Sequence, residues 1–268
     1  MILIADSGST KCDWRLIHSD KTYTEIKTIG VNPLFHNEAV IESELKTYPE
    51  FAEVADQVRA VFFYGAGCSS RELKRIVERG LSGVFTKAEV HVDHDMVAAA
   101  LAVYEDDPCI ACIIGTGSNS CHFDGDIVRE EVPALSYILG DEGSGAYFGK
   151  RILADFLYKR LPKTMHDALV SDYGLTKDII FDRVYRKPHA NVYLASFMPF
   201  VTKFKSERYV RNMLRDGLGH FLEIHVKCYP KFEEIKTHFV GSIAALHEDI
   251  LREEAEWRGI DVGKVFEQ

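Results

Sequence analysis

Several features are missing from this 268-residue sequence, and each absence removes a class of protein. No run of about 18 apolar residues could span a bilayer, and residues 1–8 lack the basic segment and cleavage site of a secretory signal. Basic residues are too few for a nucleic-acid footprint, because 32 Lys and Arg stand against 41 Asp and Glu, a formal net charge of -9. We therefore expect a cytoplasmic protein that binds neither nucleic acid nor a membrane.

Cysteine is scarce for a disulfide scaffold. The six cysteines are spread along the chain, at Cys12, Cys68, Cys109, Cys112, Cys121 and Cys228. Cys109 and Cys112 form one C-x-x-C inside an apolar run typical of a buried strand, and no second pair stands at the spacing of a zinc site. We expect reduced, structural thiols and no metal or redox site built from cysteine.

The order of predicted elements indicates an α/β protein with an internal duplication. Residues 2–29 predict three strands joined by polar turns, and strands alternate with helices from there to about residue 104. At Cys109 the chain starts a second strand, turn, strand, turn, strand series, offset from the first by 109 residues, in which Gly117 matches Gly8. We expect two domains, residues 1–108 and 109–268.

The second half of the chain departs from the first after its meander. Its third strand is expected to run through Val132, and a helix opens near residues 141–144 and continues to about Leu161. More helices fill residues 163–229, then residues 238–240 predict a strand, residues 241–242 a turn and residues 243–257 one helix.

Two glycine-serine-threonine turns suit a phosphate chain. Residues 6–11 read D-S-G-S-T-K and residues 115–120 read G-T-G-S-N-S. Both supply small residues, backbone N–H donors and hydroxyls, which are the groups that hold phosphates. Neither turn is a P-loop or a dinucleotide-binding glycine motif. Either turn alone could be an ordinary hairpin, but the pair favours phosphate binding.

Asp6 is the carboxylate of the first turn and ends an apolar strand. In that position it could hold a hard cation that bridges phosphates, directly or through water. The alternative is a turn aspartate that bonds its own backbone.

These motifs resemble those of the actin, hexokinase and heat-shock-chaperone ATPase superfamily. Residues 6–11 resemble its first phosphate motif, residues 115–119 its second, and residues 240–244, V-G-S-I-A, its adenosine motif. The resemblance covers nearly the whole chain and implies ATP and Mg²⁺, with Asp6 supporting the metal. The implied ATP-binding residues are Gly8, Ser9, Thr10, Lys11, Thr116, Gly117, Gly241, Ser242 and Ala244.

Within that superfamily, I-G-T-G-S-N-S followed by I-L-G-D-E-G-S-G-A resembles the N-acetylglucosamine kinases and the related BadF/BadG-type ATPases. The implied fold is a pair of ribonuclease H-like (actin-like ATPase) domains with an interdomain cleft, each a mixed sheet flanked by helices. The resemblance implies that Asp95 is the catalytic base that takes the proton of the sugar 6-hydroxyl. The implied sugar-binding residues are Asn32, Asn119, Asp141 and Glu142.

Read from the residues alone, the acidic positions keep alternatives. Asp95 precedes an alanine-rich helix and could be its N-cap, and Asp93 is a rival base two residues earlier. The nearby histidines could suggest a metal site with Asp93, but the spacing matches no standard pattern. Asp141 could cap a helix with Ser144, although flanking glycines favour close approach of a ligand.

The function that we predict is ATP-dependent phosphorylation of an amino sugar or hexose, foremost N-acetylglucosamine to its 6-phosphate. The expected partners are a small-molecule sugar and, as an option, a second copy of the chain in a homodimer. One alternative is an activator or energy-coupling ATPase of the BadF/BadG type, but its cluster-binding cysteine arrangement is not found here. Another alternative is a non-catalytic regulator that binds sugar or nucleotide.

Overall fold

A computed structural model describes residues 1–8 and 10–267, so the predicted ATP-binding residue Ser9 lies outside the described residues. The chain divides into two compact units, Met1–Ala98 and Ala99–Gln268. The boundary that the sequence suggests, between residues 108 and 109, stays a prediction. No described helix has both the length and the apolar composition needed to cross a membrane.

The first unit is built on a mixed five-stranded sheet with the order β3-β2-β1-β4-β5. The first three strands form an antiparallel meander, and β4 and β5 continue parallel to β1. The strands are β1 (Ile2–Ser7), β2 (Lys11–Ile17), β3 (Tyr23–Ile29), β4 (Ala60–Gly65) and β5 (Glu89–His94). This is the predicted meander followed by strands that alternate with helices.

Alternating burial turns one side of this sheet toward an aromatic core. Trp14 is fully buried and meets Phe51 edge to face, with ring centroids 5.1 Å apart, and its indole N–H donates to Thr28 Oγ1. The helices are α1 (Glu38–Leu45), α2 (Pro49–Val54), α3 (Arg71–Val84) and α4 (Asp95–Val103). The side chains of Asn37 and Ser70 cap α1 and α3 through backbone N–H groups of the first turn.

The second unit repeats the strand order of the first. Its sheet runs β10-β9-β6-β7-β8, again an antiparallel meander followed by two parallel strands. The strands are β6 (Cys109–Ile114), β7 (Ser118–Phe123), β8 (Val128–Arg129), β9 (Lys236–Val240) and β10 (Val262–Phe266). The fold class is therefore the predicted one, two mixed α/β sheets flanked by helices.

Helices of the second unit supply most of its core. They are α5 (Ser136–Leu139), α6 (Gly145–Leu157), α7 (Lys163–Tyr173), α8 (Lys177–Phe181), α9 (Ala190–Ala195), α10 (Met198–Lys203), α11 (Arg208–His225), α12 (Ser242–Leu246) and α13 (Glu248–Trp257). A π-helical turn covers Asp182–Arg186, and a 3-10 turn covers Phe232–Glu234. Gly149 brings α6 against α9, because a Cβ there would collide with the carbonyl oxygen of Leu194.

Three elements of this unit differ from expectation. The strand predicted through Val132 stops at Arg129, and the carboxylate of the next residue, Glu130, accepts from the side-chain amide of Asn119. The helix predicted over residues 243–257 is two helices, separated at His247, whose φ of -122° and ψ of 26° are not helical. The strand β10 was not predicted, since its sequence V-G-K-V-F is short and carries a glycine and a lysine. A bulge interrupts its pairing with β9.

The cysteines are free thiols, as predicted. Cys12, Cys68, Cys109, Cys112 and Cys121 are buried, and Cys228 is partly exposed. Burial raises the pKa of Cys109 and of Cys228 to about 11. Such thiols stay protonated near neutral pH and are poor nucleophiles.

Candidate functional site

The parallel strands β1, β4 and β5 of the first unit end at the same level of the sheet. Ser7 of β1 pairs with Gly65 of β4, and Gly65 pairs with His94 of β5. The next residue of each chain segment therefore leaves the sheet at the same edge. In open sheets with parallel strands, ligands bind at this carboxyl edge. Asp6 and Asp95 both belong to it.

Ser7 joins three segments at that edge. Its side chain is fully buried, and its Oγ lies 2.8 Å from the amide nitrogen and 3.1 Å from the carbonyl oxygen of Val31. The carbonyl oxygen of Ser7 accepts from the amide of Ala66, which follows β4. Ser7 thereby fixes the segment that leads into Asn32 and the loop after β4.

Asn32 is almost completely buried, with 4% of its surface exposed. Its Oδ1 accepts from the amide of Leu34 at 2.9 Å. Gly67, with a φ of +83°, packs on the side-chain amide of Asn32, and a Cβ at Gly67 would collide with it. The predicted sugar-binding residue therefore has a fixed orientation at the carboxyl edge.

The first phosphate turn closes through backbone hydrogen bonds. The amide of Gly8 donates to the carbonyl of Lys11 at 3.0 Å, and the carbonyl of Thr10 accepts from Gly30 at 3.2 Å. The Lys11 ammonium, whose side chain is exposed, lies 3.1 Å from the partly buried carboxylate of Asp13. Asp6 is partly buried on β1, directly across from Asp13 on β2.

Asp93 and Asp95 have different surroundings. The carboxylate of Asp93 lies 2.6 Å from the ammonium of Lys74 and also accepts from the amide of His94. Asp95 is the first residue of α4, and its side chain is 21% exposed, with Oδ1 3.3 Å from His94 Nε2. Among the described residues, no group of three or more His, Cys, Asp or Glu is arranged to hold a metal, so the histidines beside Asp93 form no such site.

The second phosphate turn is anchored on helix α6. The amide of Gly115 donates to the carbonyl of Gly117 at 2.9 Å. Two amides at the start of α6 donate back to the turn, Gly145 to the carbonyl of Gly115 at 2.8 Å and Ala146 to that of Thr116 at 3.0 Å. The turn is therefore fixed relative to the loop of residues 140–144.

Asp141 lies against this turn in a strained backbone conformation. Its φ is +55°, uncommon for a residue other than glycine, and its Oδ1 is 3.4 Å from the amide nitrogen of Ser118. Burial raises the pKa of the Asp141 carboxyl to about 6, and the neighbouring Glu142 adds to the effect, while the Ser118 amide and Lys150 oppose it. Burial also lowers the pKa of Lys150, whose ammonium donates to the carbonyl of Tyr137.

The side chain of Asp141 does not cap helix α6. Ser144 is the N-cap, and its Oγ accepts from the amide of Tyr147 at 3.1 Å. Asp141 contributes only its backbone carbonyl, which accepts from the Ser144 amide. The capping alternative raised by the sequence therefore does not account for Asp141 or for its strained backbone.

The other two predicted sugar-binding residues of this unit are largely buried. Asn119 is 7% exposed, and its side-chain nitrogen donates to Glu130 at 3.2 Å. The side chain of Glu142 is 13% exposed and lies 3.2 Å from the ring of His225. Sequence patterns identified neither Glu130 nor His225. Glu130 follows the short strand β8 of the same meander, whereas the contact of His225 with Glu142 joins residues 83 positions apart.

A cavity of about 570 Å³ opens beside the second phosphate turn. Its volume is within the range of small-molecule sites. Its walls come from the turn, from the start of α6, from α9 and α10, and from α12. The lining residues are Gly115, Thr116, Gly145, Ala195, Ser196, Met198, Pro199, Thr202, Ser242, Ile243 and Leu246. The predicted Thr116 and Ser242 thus line one cavity, whereas the wall from α9 and α10 carries no sequence signal beyond apolar spacing.

Gly241, in the predicted adenosine motif, allows a close contact between two backbone segments. Its φ is +125°, and a Cβ there would collide with the carbonyl oxygen of Ile114, at the end of β6. The close approach places the start of α12 beside the second phosphate turn. Ala244 is fully buried behind this surface and does not line the cavity.

Solved structures with the same fold include sugar kinases. The putative N-acetylglucosamine kinase of Porphyromonas gingivalis is 36% identical, with a TM-score of 0.94 over 100% of this chain and 95% of that chain. The putative N-acetylglucosamine kinase of Chromobacterium violaceum is 18% identical (TM-score 0.69), over 97% of this chain and 93% of that one. The ROK hexokinase of Thermus thermophilus is 15% identical (TM-score 0.53), over 99% of this chain and 92% of that one.

No protein-family model matches the sequence, and no curated protein sequence matches it either. The likeness to the P. gingivalis protein extends over the whole chain at an identity well above the level at which only the fold is shared. The chain belongs to the N-acetylglucosamine kinase-like family, and it shares its fold with the ROK hexokinase.

Proposed function

We propose that this protein, an ATP-dependent sugar kinase by its family, transfers the γ-phosphoryl group of ATP to the 6-hydroxyl of N-acetylglucosamine. The observation that carries the proposal is that the turn of residues 115–117 contacts both the large cavity and the carboxylate of Asp141. Gly115 and Thr116 line the large cavity, and Gly117, next in sequence, packs on the carboxylate of Asp141. The cavity that we assign to the nucleotide and the acidic surface that we assign to the sugar would thus adjoin the same three residues.

The nucleotide is assigned to the cavity and the two turns. Thr116 and Ser242 line the cavity, and Gly241 allows α12 to approach the turn. Backbone N–H groups near Gly8 and Gly117 suit the phosphates. We assign Ser9, Thr10 and Lys11 to the same role on the resemblance of their motifs, with Lys11 leaving its pair with Asp13 when phosphate binds. Ala244, which is fully buried and does not line the cavity, is assigned only to packing behind it.

The sugar is assigned to Asn32, Asn119, Asp141 and Glu142, whose amides and carboxylates match a ligand rich in hydroxyl groups. Asp95 accepts the proton of the sugar 6-hydroxyl as the bond from that oxygen to the γ-phosphorus forms. The bond from the γ-phosphorus to the bridging oxygen of ADP breaks in the same displacement. Such a loose transition state needs a positioned carboxylate more than a strong base.

Asp6 is assigned to Mg²⁺. Magnesium in phosphoryl-transfer sites usually takes one or two carboxylates, several waters and the substrate phosphates, so a single carboxylate beside a phosphate turn fits it. The ion would neutralise negative charge that develops on the phosphate oxygens. Asp6 is suited to this role because β1 fixes it at the carboxyl edge, next to the first turn.

A sugar panel tests the proposal. Purified protein is incubated with ATP and Mg²⁺ and with N-acetylglucosamine, glucosamine, glucose or N-acetylmuramic acid, and sugar-dependent ADP release is measured. We expect the highest kcat/KM with N-acetylglucosamine and a product whose ³¹P NMR spectrum identifies the 6-phosphate. ATP turnover that no sugar stimulates would contradict the proposal and favour the activator-ATPase alternative. Tight sugar binding without turnover would favour the regulator.

A further inference from the structure

A histidine that the proposed chemistry does not use lies behind Glu142. His225 is 2% exposed, and its Nε2 lies 3.2 Å from Oε2 of Glu142. The two residues are 83 positions apart in sequence, one on the loop before α6 and the other at the end of α11. The contact therefore depends on the tertiary fold and not on local chain geometry.

The ring of His225 is packed against an aromatic ring one helical turn earlier, and the backbone of His225 is fixed separately. It stacks on Phe221, with centroids 4.9 Å apart and planes at 19°. The backbone carbonyl of His225 accepts from Ser120 Oγ at 2.6 Å, and the same hydroxyl lies 3.0 Å from the hydroxyl of Tyr229. The stacking on Phe221 limits rotation of the ring, and the Ser120 hydrogen bond fixes the end of helix α11 against strand β7.

The surroundings also specify where the ring carries its proton. Nδ1 is buried and has no hydrogen-bond partner among residues 1–8 and 10–267, whereas Nε2 faces a carboxylate, which accepts hydrogen bonds when ionised. The neutral ring with its proton on Nε2 satisfies both conditions. Burial lowers the pKa of His225, and His220 on the same helix acts in the same direction, while Glu142 opposes them.

Glu142 is fixed at its backbone as well, because its carbonyl accepts from Ser118 Oγ at 2.7 Å. Its side chain would otherwise have three torsions to settle on binding a ligand, at a cost in conformational entropy. A hydrogen bond from His225 to one carboxylate oxygen limits those torsions and leaves the other oxygen to a ligand.

We infer that His225 is a positioning residue that holds the Glu142 carboxylate in its sugar-binding orientation by donating a hydrogen bond from Nε2. The inference rests on the proposed function, since it requires Glu142 to contact the sugar. His225 itself does not touch the sugar or the nucleotide. Its effect is therefore expected in the affinity for the sugar, with little change in the affinity for ATP.

Two amide substitutions separate positioning from packing. In His225→Gln the side-chain nitrogen can reach the place of Nε2, whereas in His225→Asn it reaches only the place of Nδ1. Both variants keep a neutral polar group in the same pocket. We expect His225→Asn to raise the KM for N-acetylglucosamine about tenfold, the effect of about 1.4 kcal/mol. We expect His225→Gln to stay within about threefold of wild type, and the KM for ATP to stay near wild type in both.

Ser120→Ala serves as the matched control, because it removes the hydrogen bond to the His225 backbone without changing the ring. It is expected to lower the melting temperature while leaving the KM for the sugar near wild type. Equal rises in KM for the Asn, Gln and Ala variants would assign His225 a packing role and overturn the inference, as would a wild-type KM in His225→Asn. Absence of sugar phosphorylation by the wild-type protein would instead overturn the proposed function, and this inference with it.

Discussion

The carboxylate of Asp141 rests on Gly117, so that a Cβ added to Gly117 would lie 3.0 Å from Asp141 Oδ2. That distance is shorter than an ordinary van der Waals contact between carbon and oxygen. The absent side chain at Gly117 therefore sets how closely Asp141 approaches the turn. Residues in contact across such a short gap respond together to substitution.

Gly117→Ala is expected to push the Asp141 carboxylate away by a few tenths of an ångström and to raise the KM for the sugar about tenfold, because buried polar contacts to a substrate are sensitive to small displacements. Steady-state kinetics with varied sugar measure this. Gly115→Ala is the control, since a Cβ there meets no described atom within 4 Å. A KM for the sugar that rises as much in Gly115→Ala as in Gly117→Ala would contradict the explanation.

Asp141→Asn is expected to stabilise the protein at neutral and alkaline pH. The pKa of the Asp141 carboxyl is about 6, above its ordinary 3.8, so the folded state binds this proton more tightly than the unfolded state. The resulting stabilisation is fully present below pH 3.8 and is lost as the pH rises through 6. At pH 8 the ionised carboxylate therefore lowers the free energy of unfolding by up to about 3 kcal/mol. The amide of the variant does not ionise and carries no such penalty.

Thermal unfolding of the wild type and Asp141→Asn from pH 4 to pH 8 measures this difference. The two melting temperatures should converge at low pH and separate in favour of the variant above pH 6. Affinity for the sugar should fall in the same variant, because the amide replaces a carboxylate in the assigned sugar site. A constant difference in melting temperature across the pH range would show that ionisation of Asp141 is not its cause.

The sequence predicted the parts of this molecule that depend on neighbouring residues. Small residues at the ends of apolar strands predict the turns at Gly8 and Gly117. Alternating hydrophobicity predicts the repeated meander. The predicted helix over residues 243–257 was wrong only at His247, where the backbone leaves helical geometry without a proline or glycine to signal it.

Contacts between distant segments could not be predicted in the same way. The pair of Glu142 and His225, the packing of Gly67 on Asn32 and the cavity wall from α10 all arise when separate segments fold together. No local pattern marks the histidine at the end of an amphipathic helix as the partner of a loop carboxylate.

Asp95→Asn is expected to lower kcat about 10²-fold to 10⁴-fold, because it removes the carboxylate assigned to accept the sugar proton. Asparagine is a good residue at a helix N-terminus, so the start of α4 should be retained. Asp93→Asn is the matched control, since Asp93 is engaged with Lys74. Its kcat should stay within about threefold of wild type, with a stability loss of at most about 1 kcal/mol.

Single-turnover measurements with saturating ATP and sugar separate this chemical step from product release. If Asp93→Asn loses as much activity as Asp95→Asn, the base is not assigned correctly. If Asp95→Asn keeps its full rate, neither the proton transfer nor the helix-terminal carboxylate has the role proposed for it.

His247→Leu is expected to make the protein more resistant to acid. His247 is fully buried, and neither ring nitrogen has a hydrogen-bond partner in the described part of the chain. Burial lowers its pKa from 6.5 to about 4. The charge of Lys205 also lowers this pKa, whereas the charge of Asp249 opposes the shift. Folding favours the neutral ring, so the free energy of unfolding is highest above pH 6.5 and falls as the pH drops toward 4. At pH 5 the loss is about 2 kcal/mol.

Chemical unfolding of His247→Leu and the wild type at pH 8 and pH 5 checks this prediction. The free energy of unfolding should fall less between the two pH values in the variant. The substitution also removes two buried polar atoms without partners, so the variant should be at least as stable as the wild type at pH 8. An identical pH dependence in both proteins would show that protonation of His247 does not limit acid stability.

The turn of residues 115–117 has one further consequence. It lines the large cavity at one end, meets Asp141 at the other, and is tied to α6 by two backbone hydrogen bonds. If the nucleotide and the sugar bind at the proposed sites, an adjustment of this backbone by one ligand would alter the surface offered to the other. By thermodynamic linkage, the factor by which nucleotide changes sugar affinity equals the factor by which sugar changes nucleotide affinity. Cooperativity between the two ligands would thus have its shortest physical route through three residues.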